Sequence, residues 1–190
     1  NAQTEMVDYE PMKVDFVRSY DPDPTIDDAI IQKAADLINW AKKPFVLVGQ
    51  GVELGNAQDE LRAFLEKGDI PCGCTLLGLS AIPTDHPLNK GMLGMHGNLG
   101  PNIKTNECDV LIAVGMRFDD RVTGNVATYA KQAKIIHLDI DPSEFNKNVA
   151  VDIPVLGNCK KTLAKLTALL EEKKHTEWIE SFEKYEQTEF

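Results

Sequence analysis

Two arginines and two aspartates crowd the octapeptide at residues 117–124, Arg-Phe-Asp-Asp-Arg-Val-Thr-Gly. It follows the apolar run at residues 110–114 and Gly115, a pattern typical of a buried parallel strand that ends in a turn. Ligands of open α/β sheets bind at the carboxyl ends of such strands, and the guanidinium fork suits phosphate and carboxylate groups. We therefore interpret the octapeptide as part of a site for an anionic ligand. A solvated cluster whose charges pair with one another is the plainer alternative.

A glycine-rich turn forms a second candidate site, because Gly49, Gly51 and Gly55 follow the apolar run at residues 44–48. Glycines between a strand and a helix let the backbone approach a ligand, and a helix amino terminus favours anions. The third glycine comes one residue too late for the dinucleotide fingerprint Gly-x-Gly-x-x-Gly. Nucleotide binding and a tight strand-to-helix turn are both compatible with this spacing.

Three further segments place candidate residues in loops or at strand ends. The loop at residues 93–97 surrounds Met95 and His96 with glycines, and a surface loop with a packed methionine is its plainer interpretation. We expect His96 to be a hydrogen-bonding residue rather than a base, since no nucleophile or carboxylate is tied to it by sequence. Asp139 ends another strand, where a carboxylate can hold ribose hydroxyls or close a turn. Asn158 follows a further predicted strand and is a weaker candidate.

Apolar runs alternate with helical periodicity along the chain, which predicts how these residues are positioned. This alternation predicts an α/β fold, a Rossmann-like three-layer domain whose parallel sheet of about six strands is covered by helices on both faces. Thr25 and Asp28 predict the start of the first helix, Gly68 the end of the second, and residues 127–130 favour a helix. Predicted strands cover residues 44–49, 70–75, 110–114, 134–139 and 151–156, and predicted helices residues 25–43, 56–66, 101–107, 160–170 and 175–187.

The chain divides into three predicted parts. Residues 1–23 are polar and dotted with prolines that disfavour helix, so we predict a linker or arm from a preceding domain. Residues 24–172 form the Rossmann-like domain, and residues 173–190 a helix or linker toward a following domain, whose Trp178, Phe182 and Tyr185 are expected to pack. Because no initiator methionine is present, we expect a segment of a longer protein.

The composition restricts the class of protein. The formal net charge of -10 and isoelectric point of about 4.8 argue against nucleic acid and anionic membranes as partners. No apolar run approaches the roughly 20 residues that span a bilayer, and we expect no signal peptide. The cysteines lack the spacing of zinc ligands, so we predict buried free thiols and no metal site. Free thiols also favour a cytoplasmic location, although a protein processed for an organelle would have the same composition. The cysteines are Cys72, Cys74, Cys108 and Cys159.

Three segments together resemble the central domain of acetohydroxyacid synthase, also called acetolactate synthase, in the family's own order. They are Gly-Met-Arg-Phe-Asp-Asp-Arg-Val-Thr-Gly at residues 115–124, Gly-Met-Leu-Gly-Met-His-Gly at residues 91–97 and Ile-Ile-His-Leu-Asp-Ile-Asp-Pro at residues 135–142. The resemblance extends from about residue 24 to about residue 170. Each segment alone would be a weak signal, but the combination is specific.

The resemblance implies an FAD site and assigns roles to individual residues. Arg117 and Asp119 are expected on the FAD, and Asp120 is expected to orient Arg121 through a charge-assisted pair. Arg121 resembles the arginine that meets the carboxylate of the second 2-ketoacid near the thiamine, and Met95 is expected at the active-site entry, where it contacts substrate. The predicted cofactor-binding residues are Gly49, Gly51, Thr75, Leu76, Leu93, Gly94, Met95, His96, Gly115, Arg117, Asp119, Arg121, Val122, Asp139, Ile140 and Asn158.

The chain also departs from the family pattern. It contains no Gly-Asp-Gly run followed by Asn-Asn, the family's motif for magnesium and thiamine diphosphate, and no glutamate-containing pyrimidine-domain motif. Asn158 stands where the family more often has aspartate. The resemblance therefore implies that other domains of a parent enzyme bind thiamine diphosphate and Mg²⁺. We expect this chain alone to carry no catalytic residue and to be inactive.

The implied parent reaction condenses two pyruvates, or pyruvate and 2-ketobutyrate, to 2-acetohydroxyacids in branched-chain amino acid synthesis. Its expected partners are 2-ketoacids, the flanking catalytic domains, copies of itself in a homo-oligomer, and a regulatory subunit. One alternative is the central domain of another thiamine diphosphate enzyme, glyoxylate carboligase-like or a flavin-free decarboxylase, against which the Asp-Asp-Arg tripeptide speaks. The other is a non-catalytic domain for nucleotide binding or assembly.

Overall fold

A computed structural model of the chain describes residue 6 and residues 23–186. The arm predicted at residues 1–23 therefore lies almost wholly outside the described residues, as do residues 187–190 of the predicted C-terminal segment.

A six-stranded, fully parallel sheet in the order β3-β2-β1-β4-β5-β6 is the centre of the fold. The order reverses between β1 and β4, so the connections leave these strands in opposite directions and a crevice opens at their carboxyl ends. Both strands are buried along their whole length. The predicted α/β class and parallel sheet are confirmed. The strands are β1 Pro44–Val48, β2 Cys72–Cys74, β3 Asn89–Met92, β4 Val110–Val114, β5 Lys134–Asp139 and β6 Ile153–Leu156.

Helices cover both faces of the sheet, which gives the predicted three layers. Because successive strand residues point to opposite faces, Val46 packs in one core cluster and Phe45 in the other. Buried residues of α1, α3 and α6 belong to the first cluster, and Trp178 and Phe182 belong to the second. The helices are α1 Asp28–Trp40, α2 Gly51–Leu54, α3 Gln58–Gly68, α4 Leu99–Thr105, α5 Asp120–Thr123, α6 Cys159–Leu169, α7 Thr176–Glu180 and α8 Glu183–Glu186, with 3-10 helices at Leu76–Ala81 and Pro142–Glu144.

Two helix ends differ from the prediction. The first helix begins after Asp27 rather than at Thr25, because the Asp27 carboxylate accepts hydrogen bonds from two backbone N–H groups of the first turn at 2.8 and 3.4 Å. Gly68 is the last residue of α3 rather than its stop. Asp69 ends the helix in the left-handed conformation, with φ of 50°.

Three further elements differ from the sequence interpretation. Strand β3 was not predicted, since its half-buried Asn-Lys-Gly-Met sequence carries no apolar alternation. Residues 127–130 form turns instead of a helix, because Ala130 has a φ of 47° and its N–H donates to Asn106 Oδ1 at 2.8 Å. The helix predicted at residues 175–187 is divided into α7 and α8, and Phe182 lies at the break.

Trp178 and Phe182 pack on the sheet, as predicted, whereas Tyr185 is half-buried beside Gly100 of α4. The Trp178 indole N–H donates to the Pro44 carbonyl at 2.8 Å, so it satisfies a backbone group at the start of β1. Phe182 is 1% exposed, and its ring centroid lies 5.5 Å from that of Phe45 and 5.3 Å from that of Trp178. Residues of the predicted linker therefore belong to the core of the domain.

We expect Phe182→Ala to lower the free energy of unfolding by about 3–5 kcal/mol, because it removes a fully buried ring and leaves a cavity between two aromatic neighbours. Tyr185→Phe is the control, since it removes only a hydroxyl that lies 3.5 Å from a Glu107 oxygen, and should cost less than about 1 kcal/mol. Urea unfolding followed by tryptophan fluorescence measures both. Equal effects of the two changes would contradict the packing assigned to Phe182.

Candidate functional site

A cavity of about 600 Å³ opens at the carboxyl edge of the sheet, across the reversal between β1 and β4. Its volume falls within the range of about 300–1,000 Å³ that is common for cofactor sites, and its position is the one at which open α/β sheets bind ligands. Most of the predicted cofactor-binding residues line it. They are Gly51, Thr75, Leu76, Gly115, Arg117, Asp119, Arg121, Val122, Asp139, Ile140 and Asn158.

Five predicted residues do not line this cavity. Gly49 lies behind it, where the turn after β1 packs on the turn after β4. The other four belong to the loop at residues 93–97, which lies beside α5. His96 is exposed and makes no side-chain hydrogen bond within the described residues, so its hydrogen-bonding role stays a prediction. The loop residues are Leu93, Gly94, Met95 and His96.

Sequence reasoning missed several residues that line the cavity. Leu54 and Leu77 are 74% and 59% exposed, and large apolar side chains in an exposed turn are a signal that could have identified them. The remainder are direct neighbours of predicted residues. The missed residues are Gln50, Leu54, Leu77, Met116 and Cys159, whereas Gly55, which also lines the cavity, belongs to the glycine-rich turn proposed from the sequence.

The glycines of the first turn are required by contact between two turns. A Cβ atom on Gly49 would lie 2.2 Å from the Gly115 oxygen, and one on Gly51 would lie 2.6 Å from the Gly115 Cα. The Gly51 N–H donates to the Gly115 carbonyl at 2.8 Å, and Gly115 has a φ of +56° that favours glycine. The plainer interpretation, a tight strand-to-helix turn, therefore accounts for Gly49. Gly51 both packs on the neighbouring turn and lines the cavity.

The charged octapeptide contains the short helix α5, which the sequence did not predict. The Asp119 carboxylate accepts a hydrogen bond from the Arg121 N–H at 3.1 Å and caps this helix, while its second oxygen lies 3.9 Å from Arg117 Nη2. That spacing is loose, and the Arg117 side chain is 66% exposed at the cavity wall. Because so little of its charge is neutralised internally, Arg117 is available to an anion.

The predicted pairing of Asp120 with Arg121 is wrong. Among the ion pairs of residues 23–186, none joins these two side chains. Asp120 is the first residue of α5, whereas the guanidinium of Arg121 lies against the loop at residues 93–97. There its Nη1 donates a weak hydrogen bond to the Met95 sulfur at 3.7 Å.

His137 connects the ends of two central strands beneath the cavity. Its Nε2 lies 2.8 Å from the Met116 carbonyl, which can only accept, so Nε2 carries the proton and donates. The ring is fully buried, and its Nδ1 has no hydrogen-bond partner within the described residues. Asp139 Oδ1 accepts from the Asp141 N–H at 2.9 Å, and Oδ2, which lies 3.7 Å from His137 Nε2, retains lone pairs for a ligand hydroxyl.

The amino terminus of α6 forms the far wall of the cavity. Asn158 Oδ1 accepts from the Lys160 N–H at 2.9 Å and caps the helix, as an aspartate would. Burial, followed by the nearby Asp139 carboxylate, raises the pKa of Cys159 to about 12, so this thiol stays neutral at physiological pH. All four cysteines are free and buried, as predicted.

Two other classes of site are absent from residues 23–186. No helix in this part of the chain is long and apolar enough to cross a membrane. In the same part, no group of three or more histidine, cysteine, aspartate or glutamate side chains is arranged to hold a metal ion.

Comparison with known proteins gives a consistent result. Residues 31–166 match the family described as "Thiamine pyrophosphate enzyme, central domain". The chain is 46% identical over 173 residues to the probable acetolactate synthase large subunit of Methanocaldococcus jannaschii, covering 90% of this chain and 29% of that protein.

Two further relatives are also named as acetolactate synthase large subunits. Identity is 46% over 156 residues with the acetolactate synthase large subunit of Corynebacterium glutamicum, or 82% of this chain and 25% of the relative. It is 40% over 154 residues with the acetolactate synthase isozyme 3 large subunit of Escherichia coli, or 81% of this chain and 27% of the relative. The chain thus spans less than a third of the length of these relatives.

We expect Gly49→Ala to destabilise the protein by about 1–3 kcal/mol, because the added methyl group forces apart the two turns that form the cavity floor. Gly100→Ala is the matched control. Its Cβ would meet nothing closer than 3.4 Å, and alanine favours a helix, so stability should be unchanged or slightly higher. Thermal unfolding followed by circular dichroism distinguishes them. An unaffected Gly49→Ala variant would show that the turns tolerate separation.

Proposed function

The chain belongs to the thiamine pyrophosphate enzyme central-domain family, and from that premise we propose that it is the FAD-binding central domain of a biosynthetic acetolactate synthase. The observation that carries the proposal is the cavity at the strand-order reversal, with Arg117 exposed in its wall. The names of the relatives favour acetolactate synthase over a glyoxylate carboligase-like enzyme.

The residues around the cavity fit a flavin dinucleotide. Arg117 offers a guanidinium fork to a phosphate, and Asp139 Oδ2 offers an acceptor to a ribose hydroxyl. Leu54, Leu76 and Leu77 are 74%, 69% and 59% exposed at the same cavity, so they provide apolar surface for a flat ring system. Phosphate, sugar and ring thus each have a chemically suitable wall.

The parent enzyme would decarboxylate pyruvate and join the remaining two-carbon unit to pyruvate or 2-ketobutyrate. Thiamine diphosphate with Mg²⁺, held by other domains, would supply the nucleophilic carbon. Within this chain, Arg121 would bind the carboxylate of the second 2-ketoacid by a charge-assisted hydrogen bond and orient it, with Met95 beside it. We expect the flavin to do no obligatory redox work in this reaction and to support the geometry of the site.

The parent assembly follows from the same proposal. We expect a cytoplasmic homo-oligomer in which the flanking catalytic domains complete the site. The relatives are named large subunits, which supports a smaller, regulatory subunit as a partner. The chain alone is expected to be inactive, because the motifs that hold thiamine diphosphate are missing from its sequence.

FAD titrated into the purified chain should bind saturably, and Arg117→Ala should weaken binding at least about tenfold by removing a charged phosphate contact. Arg62→Ala is the matched control, because this half-buried arginine pairs with Asp59 on α3, away from the cavity. Quenching of flavin fluorescence measures the dissociation constants. A parent enzyme that binds no FAD, or binds it equally well with Arg117→Ala, would contradict the flavin site.

In the parent enzyme, Arg121→Ala should raise the KM for 2-ketobutyrate roughly 30-fold, because a hydrogen bond between charged groups contributes about 2 kcal/mol. First-turnover release of carbon dioxide from pyruvate should change much less, since that step precedes the second ketoacid. Arg121→Lys keeps the charge but loses the guanidinium fork, so its KM for 2-ketobutyrate should lie between that of the unaltered enzyme and that of Arg121→Ala. Equal losses in both steps would show that Arg121 has another role.

A further inference from the structure

We infer that Asn102, a residue of α4 that does not line the cavity, is a positioning residue for Arg121 and acts through the loop at residues 93–97. The inference rests on the proposed function, in which Arg121 binds the second 2-ketoacid. It makes Asn102 a determinant of how well that ketoacid is captured, although the side chain itself touches neither ketoacid nor cofactor.

The first link joins Asn102 to the loop backbone. Asn102 Oδ1 accepts from the Gly94 N–H at 2.9 Å, and Asn102 Nδ2 donates to the Gly94 carbonyl at 2.9 Å. The amide thus satisfies both backbone groups of one residue, as a neighbouring strand would. Nδ2 also donates to the Asn98 carbonyl at 3.0 Å, which fixes the orientation of the amide.

The second link joins the loop to Arg121. The Met95 N–H donates to the Arg121 carbonyl at 2.8 Å, and a Cβ on Gly94 would lie 2.4 Å from the same oxygen. Gly94 has a φ of +93°, which only glycine adopts without strain. The loop backbone therefore lies directly against the backbone of Arg121, and a shift of Gly94 would be transmitted to it.

The third link reaches the guanidinium group. Arg121 Nη1 donates to the Met95 sulfur at 3.7 Å, although Arg121 is exposed and Met95 is 66% exposed. An exposed arginine otherwise samples many rotamers, and ordering it costs side-chain entropy. A loop held by Asn102 keeps the sulfur in place and so restricts Arg121 before the ketoacid arrives.

The test is to measure the KM for 2-ketobutyrate and the first-turnover release of carbon dioxide in the parent enzyme that carries Asn102→Ala. We expect the KM for 2-ketobutyrate to rise about tenfold, as loosened support of a binding group typically does, while first-turnover release of carbon dioxide stays within about twofold. Asn106→Ala is the matched control. It removes the asparagine that caps the C-terminus of α4, whose Oδ1 accepts from the Ala130 N–H at 2.8 Å on a different loop. Its Nδ2 donates to the backbone carbonyl of Asn102 at 3.3 Å but does not contact the Asn102 side chain or Gly94, so the KM should not change.

A double-mutant cycle distinguishes an effect of Asn102 through Arg121 from a merely structural role. If Asn102 acts through Arg121, adding Asn102→Ala to Arg121→Ala should raise the KM no further. Should Asn102→Ala fail to fold, Asn102→Asp replaces it, since the carboxylate still accepts from Gly94 N–H but repels the Gly94 and Asn98 carbonyls.

The outcomes keep the two proposals apart. A KM raised by Arg121→Ala but unchanged by both Asn102 variants would overturn the positioning role and leave the proposed function intact. Additive effects in the double variant would also overturn it. If Arg121→Ala itself left the KM unchanged, the assignment of the ketoacid site would be wrong, and the role of Asn102 with it.

Discussion

The close approach of the turns after β1 and β4 is the constraint on which the rest of the structure depends. At the strand-order reversal, Gly49 and Gly51 lie against Gly115 at distances that leave no room for a Cβ atom. This contact sets the floor of the cavity. It also fixes where the chain leaves β4, and therefore where Arg117 and the capped turn of α5 are placed. His137 reinforces the same exit by holding the Met116 carbonyl.

The site divides into a rigid frame and adjustable charged groups. The frame consists of backbone in the glycine turns, the capped helix ends and the strand ends, and hydrogen bonds hold it in place. The arginines are attached to this frame but exposed, and their partners, an aspartate at 3.9 Å and a sulfur at 3.7 Å, are weak. Weak internal pairing leaves their charge for a ligand, so the proposed anionic cofactor and substrate would meet local positive charge on an acidic chain.

The sequence predicted most of the fold and part of the site, for identifiable physical reasons. Apolar runs located β1, β4 and β5 because buried parallel strands have no polar alternation, and most residues predicted from the resemblance line the cavity. The half-buried edge strand β3 lacked that signal. The Asp120 pairing failed because adjacency in sequence does not set side-chain direction. The role of Asn102 could not be predicted from the sequence, since its hydrogen bonds to Gly94 form only when the loop is folded.

Hydrogen–deuterium exchange of the purified chain, with and without saturating FAD, tests the flavin site most directly because it reports where the ligand binds. We predict protection in the turns at residues 49–55, 75–77, 115–123 and 139–140 and at the start of α6. Protection at the opposite edge of the sheet instead, in the lysine-rich groove around Lys42, Lys43 and Trp178, would contradict the account. So would the absence of FAD-dependent protection at the cavity in both this chain and the parent enzyme.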